Sequence, residues 1–186
     1  RLIFSNTRSK APSYDEGINA LATNDNFLLD VITGDAENTS YEGKKFGLGL
    51  NIEQELTNEI GVFSRIGWND GKYVSWAFTE IDQTFTAGLS VKGQRWNRSE
   101  DIFGIALANN GISNGHRNFL SQGGYGFIIG DGKLNYGHET IIESYYNAKI
   151  FKFLWFSFDY QLVNNPAYNK DRGPVHVFGL RAHVVI

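Results

Sequence analysis

Apolar and polar residues alternate with a period of two along most of this chain. In the clearest segment, residues 45–56, the apolar side chains of Phe46, Leu48, Leu50 and Ile52 share one face, whereas Gly, Asn and Glu residues share the other. A period of two is typical of a β-strand, because successive side chains of a strand point to opposite faces of its sheet. The pattern therefore predicts an all-β protein whose strands each have one apolar face.

The same alternation recurs in other segments, and the chain is predicted to contain eight strands. The predicted strands are residues 2–8, 45–56, 61–68, 84–96, 102–108, 139–150, 154–162 and 175–186. The connections between them alternate in length: long, short, medium, short, long, short, medium. Outer-membrane barrels have short periplasmic turns and longer extracellular loops. This alternation therefore favours an antiparallel transmembrane β-barrel, in which the last strand ends at the periplasmic side.

The first long connection contains two signals for local structure. Ser13 and Glu16 form a capping-box pattern, which predicts a short loop helix near residues 13–22. An apolar segment at residues 27–32 of the same connection is interpreted as a short strand.

The longest connection, residues 109–137, is predicted to be an extracellular loop that contains its own small hairpin. Asp131-Gly132 lies between the apolar segments 125–129 and 134–136. Asp-Gly between two apolar segments is a strong signal for a two-residue hairpin turn.

Composition narrows the class of protein. The 186 residues carry a net charge of -3, which gives no indication of nucleic-acid binding. The chain has no Met, which indicates that residue 1 is not a translation start and that the chain is either processed or part of a longer protein. The densest apolar segment, residues 153–158, ends at Asp159, so there is no run of about 18 apolar residues to form a transmembrane helix. Transmembrane strands are compatible with this composition, because their alternation averages to a modest hydropathy.

Alternation alone does not show which face of the strands points outward. A soluble ligand-binding barrel or a β-sandwich would bury the apolar face, whereas a bilayer barrel would expose that face to lipid. The bilayer is favoured by Gly residues on the polar face and by aromatic residues near the strand ends, where interfacial girdles lie. These aromatic residues are Trp68, Trp96, Phe151 and Trp155. An outer-membrane barrel acting as an anchor or adhesin, with residues 109–137 as its binding surface, is a third interpretation.

The motifs for catalysis or metal binding are weak. The four His residues lack metal-ligand spacing, and the Gly-rich residues 123–126 do not open a helix as a phosphate loop does. Glu139 and Glu143 would lie about 13 Å apart along a strand, farther than the carboxylate pair of a glycosidase. We therefore expect no catalytic residue, no metal and no cofactor.

Three longer stretches carry a resemblance to a known family. They are residues 165–175 followed by 178–181, residues 46–56 followed by 61–71, and residues 130–137 leading to 143–146. These stretches resemble the carbohydrate-selective porins of the OprB type. Together the matches extend from about residue 46 to the end of the chain.

The resemblance implies a fold, a location and a function. Residues 1–186 would form a single domain, the C-terminal half of an outer-membrane barrel of about sixteen strands, which can assemble as a homotrimer. The barrel would lie in the outer membrane of a Gram-negative bacterium, with the lipid bilayer and small-molecule sugars as partners and no nucleic acid. Sugars would diffuse passively through a water-filled lumen, with no cofactor and no catalysis.

Candidate site residues lie on the predicted polar face. Arg and carboxylate side chains match sugar hydroxyls as donors and acceptors, and an aromatic side chain can face a sugar ring. Counting from the strand ends places one set of such side chains at a similar depth near the middle of the membrane. This set is Arg65, Lys92, Glu143, Tyr145, Asp159 and Arg181. We predict that these six side chains line a constriction. The simpler alternative for each charged side chain is that it only keeps a water-exposed surface hydrated.

The predicted apolar face supplies a matching expectation. Leu48, Leu89, Phe158 and Leu180 fall near the middle of their predicted strands and on this face. We expect them to contact lipid in a bilayer barrel, whereas a soluble fold would bury them in a core.

Overall fold

A single antiparallel sheet dominates the structure. The computed structural model describes residues 1–37, 40, 42–75 and 79–185, and these residues form eight strands in which each strand pairs with its neighbours in sequence. The strands are β1 (Leu2–Ser9), β2 (Gly43–Glu55), β3 (Ile60–Asn69), β4 (Gln83–Gly93), β5 (Arg98–Gly111), β6 (Glu139–Phe151), β7 (Leu154–Asn164) and β8 (Val175–Val184). The predicted all-β antiparallel fold is confirmed; residue 186 of the last predicted strand lies outside the described residues.

The sheet is open at both edges within the described residues. There β1 pairs with β2 alone and β8 pairs with β7 alone. A free edge leaves backbone N–H and C=O groups without a strand partner, which a bilayer does not tolerate because it offers no water to replace that partner. The sheet therefore has the form of part of a barrel wall and not of a closed barrel.

One face of the sheet is apolar and exposed. Leu89, at the centre of the sheet on β4, is 39% exposed, Phe158 on β7 is 54% exposed and Leu180 on the edge strand β8 is 78% exposed. Aliphatic and aromatic side chains of the other strands continue this surface: Phe46, Leu48, Leu50, Ile52, Ile66, Phe85, Phe103, Ile105, Leu107 and Ile142. An exposed apolar surface that crosses a whole sheet is far larger than the patches of soluble monomers and matches a lipid-facing wall.

Four connections lie at one end of the sheet: residues 10–42, 70–82, 112–138 and 165–174. Their described parts pack together, and we call this unit the cap, its end of the sheet the cap end and the opposite end the turn end. The buried apolar core of the cap consists of Tyr14, Ala20, Leu28, Ile32, Val74, Ile112, Phe119, Leu120 and Tyr168. Because all four connections contribute to this core, the cap ties the strand hairpins together at one end.

The cap contains three α-helices in its described part: α1 (Tyr14–Thr23), α2 (Asn26–Thr33) and α3 (Asn114–Ser121). A capping box begins α1 where the sequence predicts the loop helix. The Ser13 amide donates to Glu16 Oε2 at 2.7 Å, and the Glu16 amide donates to Ser13 Oγ at 3.2 Å. These two bonds satisfy amides that the helix itself leaves unpaired. None of the described helices is long and apolar enough to cross a membrane.

The strand predicted at residues 27–32 is wrong, because this segment forms α2. Asp25 caps the helix by accepting from the Leu28 amide at 3.2 Å, and Gly34 ends it with φ +87°, a left-handed conformation that suits Gly. Leu28, Val31 and Ile32 are buried at helical spacing. A short apolar segment fits a strand or a helix equally well, and packing in the cap decides between them.

The hairpin predicted within residues 109–137 is also wrong. Neither 125–129 nor 134–136 forms a strand in the structure. Instead the Gly126 amide donates to the Ile129 carbonyl at 2.7 Å in a tight turn, and residue 130 takes φ +122°, which interrupts an extended chain. Ile129 and Leu134 pack against the cap core, so their apolar character serves the cap and not a second sheet.

The cap lies over the polar face of the sheet. Asn110 and Asp82 lie on this face at the cap end and are buried beneath the cap, whereas Phe46 on the opposite face remains exposed. At Gly43, the start of β2, an added Cβ would lie 3.0 Å from the Ala11 carbonyl and 3.1 Å from the Tyr73 ring of the cap, so the cap lies directly over this strand end. The cap therefore covers one end of the polar surface.

The two faces of the sheet predict different losses of stability when an Arg is introduced. Leu89→Arg is expected to destabilise the membrane-inserted protein by about 2–4 kcal/mol, because it places a charge in lipid near mid-membrane. Ser90→Arg on the adjacent polar-face position is the matched control and should cost little, since Gly61 lies opposite Ser90 and Ser90 borders an open groove of about 430 Å³. The measurement is reversible unfolding of full-length protein from vesicles; equal losses for the two variants would contradict the assigned faces.

Candidate functional site

The candidate site is the polar face of the sheet. All six side chains predicted for the constriction lie on this face, opposite to the exposed apolar one. Strand register, and not loop conformation, fixes their positions, because a strand that slipped by one residue would turn them toward lipid.

Four of the six predicted residues form one cluster on β6, β7 and β8. Tyr145 lies directly opposite Asp159, and Glu143 lies opposite Gln161, whose Nε2 donates to Glu143 Oε2 at 3.2 Å. Arg181 on β8 extends the cluster by one more strand. A groove of about 440 Å³ passes among these strands, and its lining includes Tyr145, Asn147, Ser157, Asp159, Gly179 and Arg181. This groove is thus lined by a cation, a carboxylate, an amide and an aromatic ring.

Glycines provide the space for this groove. Gly104 lies opposite Tyr145, and a Cβ atom at Gly104 would be only 2.3 Å from Tyr145 Cε1. Gly179 lies opposite Asp159, where an added Cβ would be 3.3 Å from Asp159 Cβ. The aromatic ring of Tyr145 therefore lies against bare backbone, which keeps it close to the wall.

Arg65 belongs to a neighbouring part of the same surface. Its Nε donates to Asn51 Oδ1 at 3.1 Å, and its second guanidinium nitrogen donates to Glu53 Oε1 at 3.2 Å. The guanidinium also lies 5.3 Å from the centre of the Phe63 ring. A second groove, of about 430 Å³, includes Arg65 together with Glu143 and Tyr145 in its lining, so the two parts of the site adjoin.

Asn51, Glu53 and Phe63 are part of the site, but the predicted set omits them. All three share the polar face with Arg65, so strand alternation is the signal that could have added them. Their contribution is to orient the Arg65 guanidinium, which two acceptors on β2 hold in place.

Lys92 is not brought together with the other predicted residues. It is the penultimate residue of β4, where its Nζ donates to the Asn58 carbonyl at 3.0 Å and lies 3.7 Å from Glu55 Oε1. The sequence placed it nearer mid-strand because residues 84–96 were expected to form one strand. In the structure β4 ends at Gly93 and residues 94–96 form a 3₁₀ turn, so Lys92 lies at the turn end.

Trp155 also departs from expectation, because it lies on the polar face and not in an outer aromatic girdle. It lies opposite Lys149 and His183 in the register of β6, β7 and β8. Lys149 Nζ is 5.3 Å from the Trp155 ring centre, within the range of a cation–π contact. Trp155 lies two residues before Ser157 and four before Asp159, so strand alternation alone could have predicted that it shares their polar face.

A buried carboxylate anchors the turn end of the sheet. Asp101 on β5 is 1% exposed and accepts from the Arg98 guanidinium, from the Tyr146 hydroxyl at 2.6 Å and from the Lys149 amide at 3.0 Å. Trp96 Nε1 donates to the same Tyr146 hydroxyl at 2.9 Å. These bonds join the β4–β5 turn to β6 and hold the turn end of the cluster's strands.

The described residues contain no group of three or more His, Cys, Asp or Glu side chains arranged to hold a metal ion. The chemistry that the described polar face offers is hydrogen bonding, ionic attraction and aromatic contact. Such a surface can bind or sort solutes weakly along its length.

The sheet is antiparallel, with one exposed apolar face, one grooved polar face and its long connections at one end. These are the features of the wall of a porin-type β-barrel. The family model of the carbohydrate-selective porins, OprB family, matches residues 2–186. The chain belongs to this family, and the resemblance seen in its sequence is confirmed. Porins of this kind are channels of the outer membrane of Gram-negative bacteria and not enzymes.

A solved structure agrees in fold. The high pH structure of Pseudomonas putida OprB matches with a TM-score of 0.60 at 17% sequence identity. The match covers 83% of this chain and 38% of that chain, so this chain spans well under half of the P. putida protein. No curated protein sequence matches the chain.

The glycine opposite Tyr145 predicts a local test of the site. Gly104→Ala is expected to push the Tyr145 ring away from the wall, because the new Cβ would lie within 2.3 Å of that ring. Gly49→Ala is the matched control, since its nearest neighbour would be 3.6 Å away, an ordinary contact. The measurement is the NMR shift of isotope-labelled Tyr145 in micelles. An unchanged Tyr145 signal in Gly104→Ala would contradict the described packing.

Proposed function

We propose that this chain forms part of the wall and of the constriction of an outer-membrane channel through which small sugars diffuse passively. The observation that carries the proposal is the division of one sheet into an exposed apolar face and a grooved polar face. The polar cluster of Glu143, Tyr145, Asp159 and Arg181 lies at the centre of the proposal. Family membership supports the same conclusion.

The chemistry of the cluster suits a neutral, polyhydroxylated solute. The Arg181 guanidinium offers donors, and the Glu143 and Asp159 carboxylates offer acceptors, so sugar hydroxyls can exchange water for protein partners. The Tyr145 ring offers an apolar face beside these groups. Charges of both signs line the grooves, so neither cations nor anions are attracted along the whole path.

The remaining predicted residues take separate places in this proposal. Arg65, held by Asn51 and Glu53, lines the groove that adjoins Glu143 and Tyr145. Lys92 lines the mouth at the turn end, where it also fastens the β2–β3 turn. The constriction itself is thus proposed to lie at Arg65 and the β6–β8 cluster.

The proposal includes a larger barrel. Residues 1–186 are proposed to form the C-terminal half of a barrel of about sixteen strands, in which further strands pair with the open edges of β1 and β8. The homotrimer implied by the resemblance belongs to the same proposal, and chemical cross-linking of the full-length protein in native membranes tests it.

Two substitutions test the function. Arg181→Ala and Glu143→Ala are each expected to change the affinity of sugar-dependent current block by about 2- to 10-fold, the equivalent of one net hydrogen bond. Folding should remain nearly intact, because a solvated wall residue supports little packing. The measurement is single-channel current of the full-length protein in planar bilayers, with a neutral sugar series.

The control is Lys92→Ala, which removes a charge from the same face at the turn end and should change block much less. If Arg181→Ala and Glu143→Ala both leave sugar block and ion selectivity unchanged, the cluster is part of the barrel wall and not of the constriction. If the wild-type protein inserts and passes no current, the channel proposal fails and an anchor or adhesin becomes the better interpretation.

A further inference from the structure

Three titratable side chains are buried together inside the cap. Glu80, Asp82 and His116 are 2%, 3% and 0% exposed. His116 Nδ1 lies 3.2 Å from Asp82 Oδ2, and His116 Nε2 lies 3.4 Å from Glu80 Oε2. A single imidazole thus lies between two buried carboxylates, one on each ring nitrogen.

This cluster joins all four connections of the cap. The Tyr14 ring of α1 stacks on the His116 ring of α3 with centroids 4.2 Å apart. Glu80 and Asp82 come from the β3–β4 connection, and the Ile128 amide donates to Glu80 Oε1 at 3.1 Å. Tyr168, from the β7–β8 connection, donates its hydroxyl to the Glu80 carbonyl at 2.7 Å. A change at His116 therefore reaches every segment of the cap.

The protonation state of His116 decides how many of these contacts are favourable. A protonated imidazole donates from both nitrogens, one to each carboxylate, whereas a neutral imidazole has a single N–H and turns a lone pair toward the other carboxylate. The Ser113 amide also donates to Asp82 Oδ2 at 2.8 Å, so Asp82 keeps one partner in either state. Glu80 Oε2 and the facing His116 Nε2 are both buried, and neither makes a hydrogen bond within the described residues, so their 3.4 Å approach is an ionic contact that depends on the charge of the imidazole. A neutral imidazole that keeps its proton on Nδ1, the nitrogen hydrogen-bonded to Asp82, faces Glu80 Oε2 with a lone pair, so deprotonation removes the attraction on the Glu80 side of the cluster.

The surrounding charges are mostly negative. The titratable groups that face the cluster are Tyr14 on α1, Lys45 on β2, Asp70 after β3, and Tyr168 before β8, besides Glu80 and Asp82 themselves. Three carboxylates thus face one lysine, and the region favours a second cation at His116.

The pKa directions agree with this geometry. Burial lowers the pKa of His116, but its hydrogen bond with Asp82 and the negative charges of Asp82 and Glu80 outweigh burial, so that the pKa is raised above the ordinary value. Burial raises the pKa of Asp82, but the bonds from His116 and from the Ser113 amide outweigh it and hold that pKa below the usual range.

The direction of the pH effect follows from these shifts. The contribution of His116 is fully present below its unfolded pKa of about 6.5 and is lost as the pH rises through its raised folded pKa. The contribution of Asp82 is present above its unfolded pKa of roughly 3.9 and is lost as the pH falls through its lowered folded pKa. The cluster is therefore strongest in weakly acidic medium, and its His116 contribution is lost as the pH rises through the raised folded pKa.

We propose that His116 is a proton-controlled latch, which holds the cap closed over the polar face when protonated and loosens it when deprotonated in alkaline medium. The latch acts on the cap itself. Its consequence for solute flow rests on the proposed channel function, because the cap covers the cap end of the polar surface.

The test uses full-length protein in detergent micelles across a pH series from weakly acidic to alkaline. Isotope-labelled His signals report the titration of His116, and hydrogen exchange of the α3 amides, corrected for the intrinsic effect of pH, reports opening of the cap. We expect α3 exchange to rise across the His116 transition, since the stability that the raised pKa of His116 lends to the closed cap is lost there.

Glu80→Gln is the decisive variant, because it keeps the shape of the side chain and removes one carboxylate from the imidazole. It is expected to lower the pH midpoint of both readouts by about one unit. His138→Gln is the matched control, since His138 is exposed and bonds to Asn109 Oδ1 at 2.7 Å away from the cluster. This variant should leave both midpoints unchanged.

Two results would overturn the latch: His116 titrating at or below its ordinary value, or an α3 exchange profile that Glu80→Gln does not shift. Current recorded over the same pH series separates the two proposals. A latched channel should become noisier above the His116 transition in wild type and at a lower pH in Glu80→Gln. A protein that passes no current at any pH contradicts the channel, whereas the titration and exchange results still decide the latch.

Discussion

The constraint on which the whole structure depends is the pairing of backbone N–H and C=O groups between neighbouring strands. In lipid no water replaces a lost partner, so each strand must be satisfied along its full length by the next. Strands β2 to β7 meet this constraint in the simplest way, each lying between its two neighbours in sequence, whereas β1 and β8 each keep one open edge within the described residues. The register that results assigns each side chain to lipid or to the polar face, and a slip of one residue would exchange the two.

This arrangement moves the packed core away from the sheet. Among the described residues no second layer packs against the apolar face of the sheet, and the buried apolar cluster lies in the cap. The cap stabilises the loops, because four connections that would otherwise be separate share one core. Burying Glu80, Asp82 and His116 in that core is costly unless each charge has a partner, and the three groups supply partners for one another.

Glycines on the polar face leave grooves between its large side chains. Gly104 and Gly179 lie opposite Tyr145 and Asp159, so large side chains rest on bare backbone and leave grooves between them. Arg65 is held by two acceptors from β2, which gives a flexible cation a defined direction. Rigid strands and cross-strand bonds thus position the groups of the proposed constriction, whereas the cap covers one end of their surface.

The sequence by itself determined which residues share a face, because alternation is a local property of an extended chain. Leu89 on the apolar face and Tyr145, Asp159 and Arg181 on the polar face follow from counting alone, and Ser13 with Glu16 marked α1 by local hydrogen bonding. Tertiary structure decided whatever depends on distant partners. It made residues 27–32 a helix by burying one side of it, and it placed Lys92 at the turn end because β4 stops at Gly93. It also brought His116 to Glu80 and Asp82, which are more than thirty residues away along the chain, and no local pattern carries the information for such a contact.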